Sequence, residues 1–422
     1  MPQHTIHQQG LELLELGLHA QGVDCLRLAL EAEPTNANLH SDLLVAMHDR
    51  HGDEAEVMFD EHIRWARAHA PPPSAEPPAN DPGPDRTLRI GYLAGDFSDP
   101  SLAPLVGPVL SGHHREKFEV HCYEGQGDWS DQELEARIRG DRIDILVDLW
   151  GHRRGNRLAV LARRVAPVQV SWLGYPNTTG LDTVDYRLTD AQCDPMGHPD
   201  WFHTEQLWRL PGCFVCCAMA RHDPSRPDAH RDAETADRPV TFGCFNDARR
   251  VTAEMLGAWA RILEASAGSR LLLGTSAASG RIAEELAALG IQRDRVGIVD
   301  CNAVRREADI ALDTYPHGGL LGTCQALAMG TPVVTLAGQT HAARRSASLL
   351  ANAGLEVGIA RDIEQYVAIA ARWARDGQEL ARLRGAMRTS ADQWPLFNVH
   401  RFVDDLEAAY RRMWANWCGK IA

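Results

Sequence analysis

From residue 87 onward the chain alternates short apolar runs with stretches of helical periodicity, and it does so twice. The first series contains Leu88–Leu93, Phe118–Tyr123, Ile143–Leu149 and Val168–Trp172, with helical patterns at 131–140 and 156–164 between them. A polar stretch, 221–238, interrupts it. The second series runs through Val240–Phe245, helix 252–266, Arg270–Leu273, helix 279–289, Val296–Val299, Ile310–Asp313, helix 322–329 and Pro332–Leu336, and residues 362–415 read as helical. Strands separated by crossover helices form parallel sheets. Two such series in tandem predict two doubly wound α/β lobes, whose ligands bind beyond the carboxyl ends of the strands.

Residues 1–70 read as helices: Leu11, Leu13, Leu14, Leu16 and Leu18 open an apolar pattern, Cys25, Leu26, Leu28 and Leu30 continue it at helical spacing, and Glu33-Pro34-Thr35-Asn36-Ala37 breaks it. Helix, turn, helix and proline resemble one tetratricopeptide unit and part of another, although an unrelated helical cap would carry the same pattern. The proline-dominated run 71–86 predicts a stiff, extended, solvated linker. The expected organisation is helices over 1–70, linker 71–86, a first lobe 87–235, a second lobe 236–385 and terminal helices 386–422 that pack back on the first lobe.

Asp and Glu number 57 against 43 Lys and Arg, a formal charge of −14 that argues against sequence-independent nucleic-acid binding. The first ten residues lack the basic and apolar regions of a secretory signal, and no apolar run approaches a bilayer span, so no membrane partner is expected. Ten scattered cysteines fit a reducing cytoplasm. Cys213, Cys216 and Cys217 cluster, but no second ligand pair accompanies them, so buried thiols are expected rather than a metal.

Four segments carry candidate chemistry. In Leu312-Asp313-Thr314-Tyr315-Pro316-His317-Gly318-Gly319-Leu320-Leu321-Gly322-Thr323-Cys324-Gln325 a strand ends, glycines turn and a helix begins; free amides at a helix start hold anions, and a tight turn without ligand has the same pattern. Phe245-Asn246-Asp247-Ala248-Arg249-Arg250 follows the first strand of the second lobe, where an arginine can grip a diphosphate or simply be solvated. Asp148 to Arg157 contains His152, a candidate proton relay or sugar ligand as well as a candidate structural histidine. Trp172 to Gly180 places Tyr175, Pro176, Asn177 and Thr178 in a loop suited to a polar ligand.

Residues 145–190, with Ala166-Pro167-Val168-Gln169 and Trp172-Leu173-Gly174-Tyr175-Pro176-Asn177-Thr178, resemble the first catalytic lobe of protein O-GlcNAc transferases and their Spindly-like relatives. Supporting matches are 89–97, 204–214, 243–246, 312–319, 326–340 and 395–398, and 39–70 is similar to the family's junction between repeats and catalytic part. The resemblance implies a GT-B α/β fold of two facing Rossmann-like lobes. It implies metal-independent, inverting transfer of GlcNAc from UDP-GlcNAc to Ser or Thr hydroxyls of a protein or peptide, with no cofactor. It also implies that His152 and Arg250 are catalytic. Tyr175, Pro176, Thr178, Asn246, Gly319, Gly322, Thr323, Gln325, Thr340 and Arg344 would bind substrate.

The chain departs from the family pattern at several of these positions. Pro100 and Pro104 stand where the family has histidines, Arg250 where it has lysine, and Leu320-Leu321-Gly322-Thr323 where it has a threonine-rich turn. Gln325 replaces the acidic residue facing the ribose, and the segment between Val299 and Ala308 is shorter. Three readings follow: an active protein glycosyltransferase, a silent relative that binds partners, or another GT-B enzyme acting on a small molecule.

Overall fold

The computed structural model describes residues 5–125, 127, 129–218 and 239–421; the polar stretch predicted at 221–238 lies outside the described residues. The chain opens with α1 (Ile6–Glu15), α2 (His19–Ala32), α3 (Ala37–His51) and α4 (Ala55–His69). A capping box of Thr5 and Gln8 starts α1, and Gly17, at φ +73°, breaks it from α2. Chain contacts divide the molecule into two compact units whose boundaries fall inside α2 and α3.

The N-terminal α/β unit comprises Ala29–Val45, Glu54–Ala218 and Asn398–Ala422. Its strands are β1 (Leu88–Ala94), β2 (Phe118–Glu124), β3 (Ile145–Asp148), β4 (Val168–Ser171), β5 (Tyr186–Asp190) and β6 (Gln206–Leu210). All pair in parallel in the order β2-β1-β3-β4-β5-β6. Between them lie α5 (Ala103–Gly112), α6 (Asp131–Gly140) and α7 (Leu158–Ala162). Neither β5 nor β6 was expected, because polar residues interrupt their apolar run. In β5, Arg187, Thr189 and Asp190 are all buried, so a strand hidden on both faces carries little apolar signature.

The segment 71–86 is extended but is not a free tether. The Asn80 amide donates to the carbonyls of Arg142 and Ile143 and to Asp144, Arg86 forks onto Asp144, and the Trp414 indole donates to the Gly83 carbonyl. Its prolines leave few backbone N–H groups to satisfy, and side chains staple it down instead.

The second unit comprises Met1–Leu28, Ala46–Asp53 and Met219–Phe397. Its strands are β7 (Thr241–Cys244), β8 (Arg270–Gly274), β9 (Val296–Val299), β10 (Ile310–Leu312), β11 (Val333–Leu336) and β12 (Ile359–Ala360). They form one parallel sheet in the order β12-β11-β10-β7-β8-β9. The helices are α8 (Ala253–Ala265), α9 (Ser279–Ala288), α10 (Cys301–Glu307), α11 (Leu320–Ala328), α12 (His341–Asn352), α13 (Ile363–Arg375) and α14 (Gly377–Ser390). A core around Phe242, Trp259, Leu271, Ile310, Tyr366 and Trp373 fills the layer between sheet and helices. The last helix, α15 (Val399–Ile421), belongs to the N-terminal unit, where Glu407 accepts from the His113 ring and the His114 amide, and Tyr410 meets Tyr92.

Candidate functional site

Reversing the order of the second sheet and counting its strands from β7 gives 3-2-1-4-5-6, with the switch point between β7 and β10. Two of the sequence-predicted segments leave the sheet there. Asn246, after β7, donates its side-chain amide to Asp313 Oδ1 (2.6 Å) and Thr314 Oγ1 (3.2 Å), just after β10. Asp313 is buried and accepts three further bonds: Gly319 N–H (3.0 Å) on Oδ1, the Thr335 hydroxyl (2.7 Å) on Oδ2, and Tyr366 O–H (2.9 Å) on its carbonyl. One carboxylate thus fixes the path of the glycine turn.

Gly319 is the residue before the first turn of α11 and carries no side-chain cap. The amides of Leu320, Leu321 and Gly322 are the first of the helix, and no acceptor meets them among the described residues. A Cβ at Gly319 or Gly322 would run into the Asn246 side chain, so these glycines serve packing, at ordinary φ, rather than an unusual backbone. Arg250 closes the short 3-10 turn Ala248–Arg250 and is half-buried. Its neighbour Arg249 pairs with Asp247 and Glu15, whereas no carboxylate lies within ion-pair range of Arg250 among the described residues.

The other predicted residues of this unit are placed less openly. Thr323 is buried and donates its hydroxyl to Ser346 (2.9 Å). Thr340 caps α12, and its hydroxyl donates to the Gly52 carbonyl. Arg344 holds the Gly338 carbonyl (3.0 Å), and Gln325 is half-buried in α11. Two carboxylates, one in the last turn of α3 and one just beyond it, reach the same turns: Asp49 binds His317 (2.8 Å), and Asp53 accepts from Tyr315 O–H (2.6 Å), Thr340 N–H (3.1 Å) and Gln339 N–H. Sequence periodicity had marked α3 only as a packing helix.

In the N-terminal unit the switch point lies between β1 and β3. Gly95, after β1, abuts the Trp150 indole so closely that no Cβ fits, and Arg153 lies 3.9 Å over that ring while pairing with Asp99 (2.9 Å). Pro100 is exposed, and Pro104 sits in the first turn of α5, where a missing N–H costs nothing.

His152 has no exposed surface. Its Nε2 donates to the Thr179 carbonyl (2.9 Å), and Nδ1 accepts from Ser41 (3.3 Å). The rings of Trp65, His62 and Tyr175 enclose it at centroid distances of 4.7, 5.1 and 5.2 Å. With both nitrogens engaged, it braces the Tyr175 loop in this structure. Tyr175 donates its hydroxyl to His62 Nε2 (2.7 Å), whose Nδ1 donates to the Met58 carbonyl. Burial pulls His62 down to about 4, partly offset by that carbonyl, and raises Asp148 to about 6 against the N–H bonds of Gly151 and Trp150. Pro176 is buried. Thr178 gives its hydroxyl to Glu205 (2.6 Å), and Arg187 donates to the carbonyls of Tyr175 and Asn177. Of the cysteine cluster, burial raises Cys213 and pushes Cys216 up to about 12, as for inert thiols.

Two all-parallel, doubly wound units, the second with an anion-ready glycine turn at its switch point, define the GT-B class of glycosyltransferase folds. The sequence profile of Glycosyl transferase family 41 matches residues 130–222 and 229–406, and the chain belongs to that family. It is 34% identical over 431 residues to a protein of Arabidopsis thaliana whose name reads "Probable UDP-N-acetylglucosamine--peptide N-acetylglucosaminyltransferase SPINDLY". That match takes in 92% of this chain and 46% of the relative, so the chain spans about half of that relative's length. A solved mutant of the Thermobaculum terrenum O-GlcNAc transferase superposes with a TM-score of 0.90 at 34% identity, covering 99% of this chain and 85% of the other. Sucrose-phosphate synthase from Thermosynechococcus elongatus, at 15% identity and a TM-score of 0.55 over 78% of this chain and 100% of the other, shares the fold alone. No helix among the described residues is long and apolar enough to cross a membrane.

Proposed function

We propose that this chain transfers GlcNAc from UDP-GlcNAc to Ser or Thr hydroxyls of a protein or peptide in the cytoplasm. The observation that carries this reading is the switch point of the second unit, where, among the described residues, no carboxylate comes within ion-pair range of Arg250 and the first amides of α11 meet no acceptor. A departing diphosphate needs fixed positive charge and N–H donors, and this set supplies both without a metal. Asn246 and Asp313 hold the turn in place for that task. His152 acts by positioning the Tyr175 loop, and α1–α4 are a short repeat-like segment.

Incubation with UDP-GlcNAc carrying a labelled sugar and a peptide library tests the reading, together with the melting temperature in millimolar UDP, since a ligand that binds the native state stabilises it. The absence of both labelled transfer and a rise in melting temperature would refute it. A second reading, a silent relative that binds the nucleotide sugar or a partner without transfer, is favoured by the enclosed His152 and by Pro100 and Pro104. It predicts the thermal shift with no labelled product.

A further inference from the structure

His317 stands directly before the Gly318-Gly319 turn, is nearly buried, and uses only one of its nitrogens among the described residues. Nδ1 lies 2.8 Å from Asp49 Oδ1. A carboxylate only accepts, so Nδ1 carries the hydrogen and Nε2 of the neutral ring carries a lone pair. Nε2 meets no hydrogen-bond partner among the described residues. Around the ring stand Asp49 and His48 from α3, Arg250 after β7 and Arg345 from α12; His19 from α2 faces Asp49 at 3.9 Å. Burial, then the charges of Arg250 and Arg345, pull His317 down to about 3 against the pull of Asp49. Asp49 in turn is lowered by its bond to His317 and by Arg250, in spite of its burial.

This arrangement holds a conflict for the ligand proposed above. Phosphoryl oxygens at neutral pH are acceptors, and an acceptor cannot bond to a lone pair. The turn's own side chains supply no donor: Leu320 and Leu321 are apolar, the Thr314 hydroxyl donates to the His317 carbonyl, and the Thr323 hydroxyl donates to Ser346. A docking diphosphate would neutralise the two arginines that add to burial in keeping the ring uncharged, and Asp49 stands ready behind it. We propose that His317, backed by Asp49, is a proton-coupled ligand of the donor diphosphate: as the nucleotide sugar binds, Nε2 takes one proton from solvent and donates it in a hydrogen bond to a phosphoryl oxygen. The inference rests on the donor-site reading above and makes affinity for the donor fall with rising pH.

Isothermal titration of the full chain with UDP-GlcNAc tests it, because the phosphodiester groups of that probe do not themselves titrate between about pH 6 and 8. Titration in two buffers of different ionisation enthalpy should show uptake of close to one proton, and the association constant should fall by up to about tenfold per pH unit. His317→Gln should abolish both the uptake and the pH dependence; Asp49→Asn, a second variant that leaves the ring in place, should reduce the uptake. Wild-type protein that fails to bind UDP-GlcNAc at any pH would sink the donor-site reading itself. Binding with no uptake, as when a sugar or ribose hydroxyl donates to Nε2, or uptake that persists in His317→Gln, would overturn only the role of His317.

Discussion

Replacing Gly319 by alanine isolates how the switch point of the second unit is built. The backbone there, at φ −88° and ψ 99°, suits any residue, so the substitution adds only a methyl group. That methyl falls on the Asn246 side chain, which must leave. Its departure removes the 2.6 Å bond to the Asp313 carboxylate and the 3.2 Å bond to Thr314. A hydrogen bond to a charged group contributes about 1.5–3 kcal/mol and a neutral one about 0.5–1.5, so Gly319→Ala should cost roughly 2–4 kcal/mol. In an Asn246→Ala background the space is already open, and the same change should cost under about 1 kcal/mol, a coupling that a double-mutant cycle measures directly. Urea unfolding followed by hydrogen exchange in peptides from β7, β10 and β11 reports this unit alone, which matters because a chain of two units need not unfold in one step. Equal costs in both backgrounds would refute the claim that Asn246 occupies the space the glycine leaves.

Other outcomes follow from the same geometry. Arg250→Gln should weaken UDP binding by about tenfold to a hundredfold at every pH, with Arg250→Lys recovering part of it, as measured by calorimetry. His62 takes up a proton in the unfolded chain near its ordinary value and in the folded chain only near 4, so its contribution is present above about pH 6.5 and about 3 kcal/mol is lost as pH falls through 4. Asp148, raised to about 6, acts in the opposite sense, losing stability as pH rises from about 4 to 6; the unfolding free energy of His62→Gln subtracted from wild type across pH therefore isolates the histidine. Gly151→Ala forces a side chain at φ +54° into the Tyr175 ring and should destabilise the N-terminal unit by more than about 2 kcal/mol; Gly197→Ala, at φ +114° with open space around it, carries the backbone cost alone and should show a smaller loss of melting temperature.

The doubly wound plan was legible because buried parallel strands are short and apolar and the helices between them keep their period. Strands β5 and β12 escaped for different reasons: β5 buries Arg187 and Asp190 within its run, and β12 is two residues long. Helices α5, α10 and α12 also escaped; α5 holds Pro104 and Pro108, and α10 has seven residues. At the candidate site, the glycine turn was readable because a strand end, glycines and a helix start are adjacent in sequence; that Asn246, 67 residues before Asp313, packs against it was not. The environment of His152 was not readable. Ser41, 111 residues upstream, His62 and Trp65 enclose it, and nothing in the local motif announces partners from distant helices. Asp49, Asp53 and Arg187 were missed for the same reason.

The two carboxylates at the tail of α3 bear on how such chains could be recombined. Asp53 ties down Tyr315, Gln339 and Thr340, and Asp49 sets which nitrogen of His317 carries its hydrogen. An engineer who exchanged α1–α4 for a longer repeat array and cut at the end of α4 would discard both. A fusion joint would have to lie upstream of residue 46, so that the last turns of α3 travel with the half of the molecule they serve.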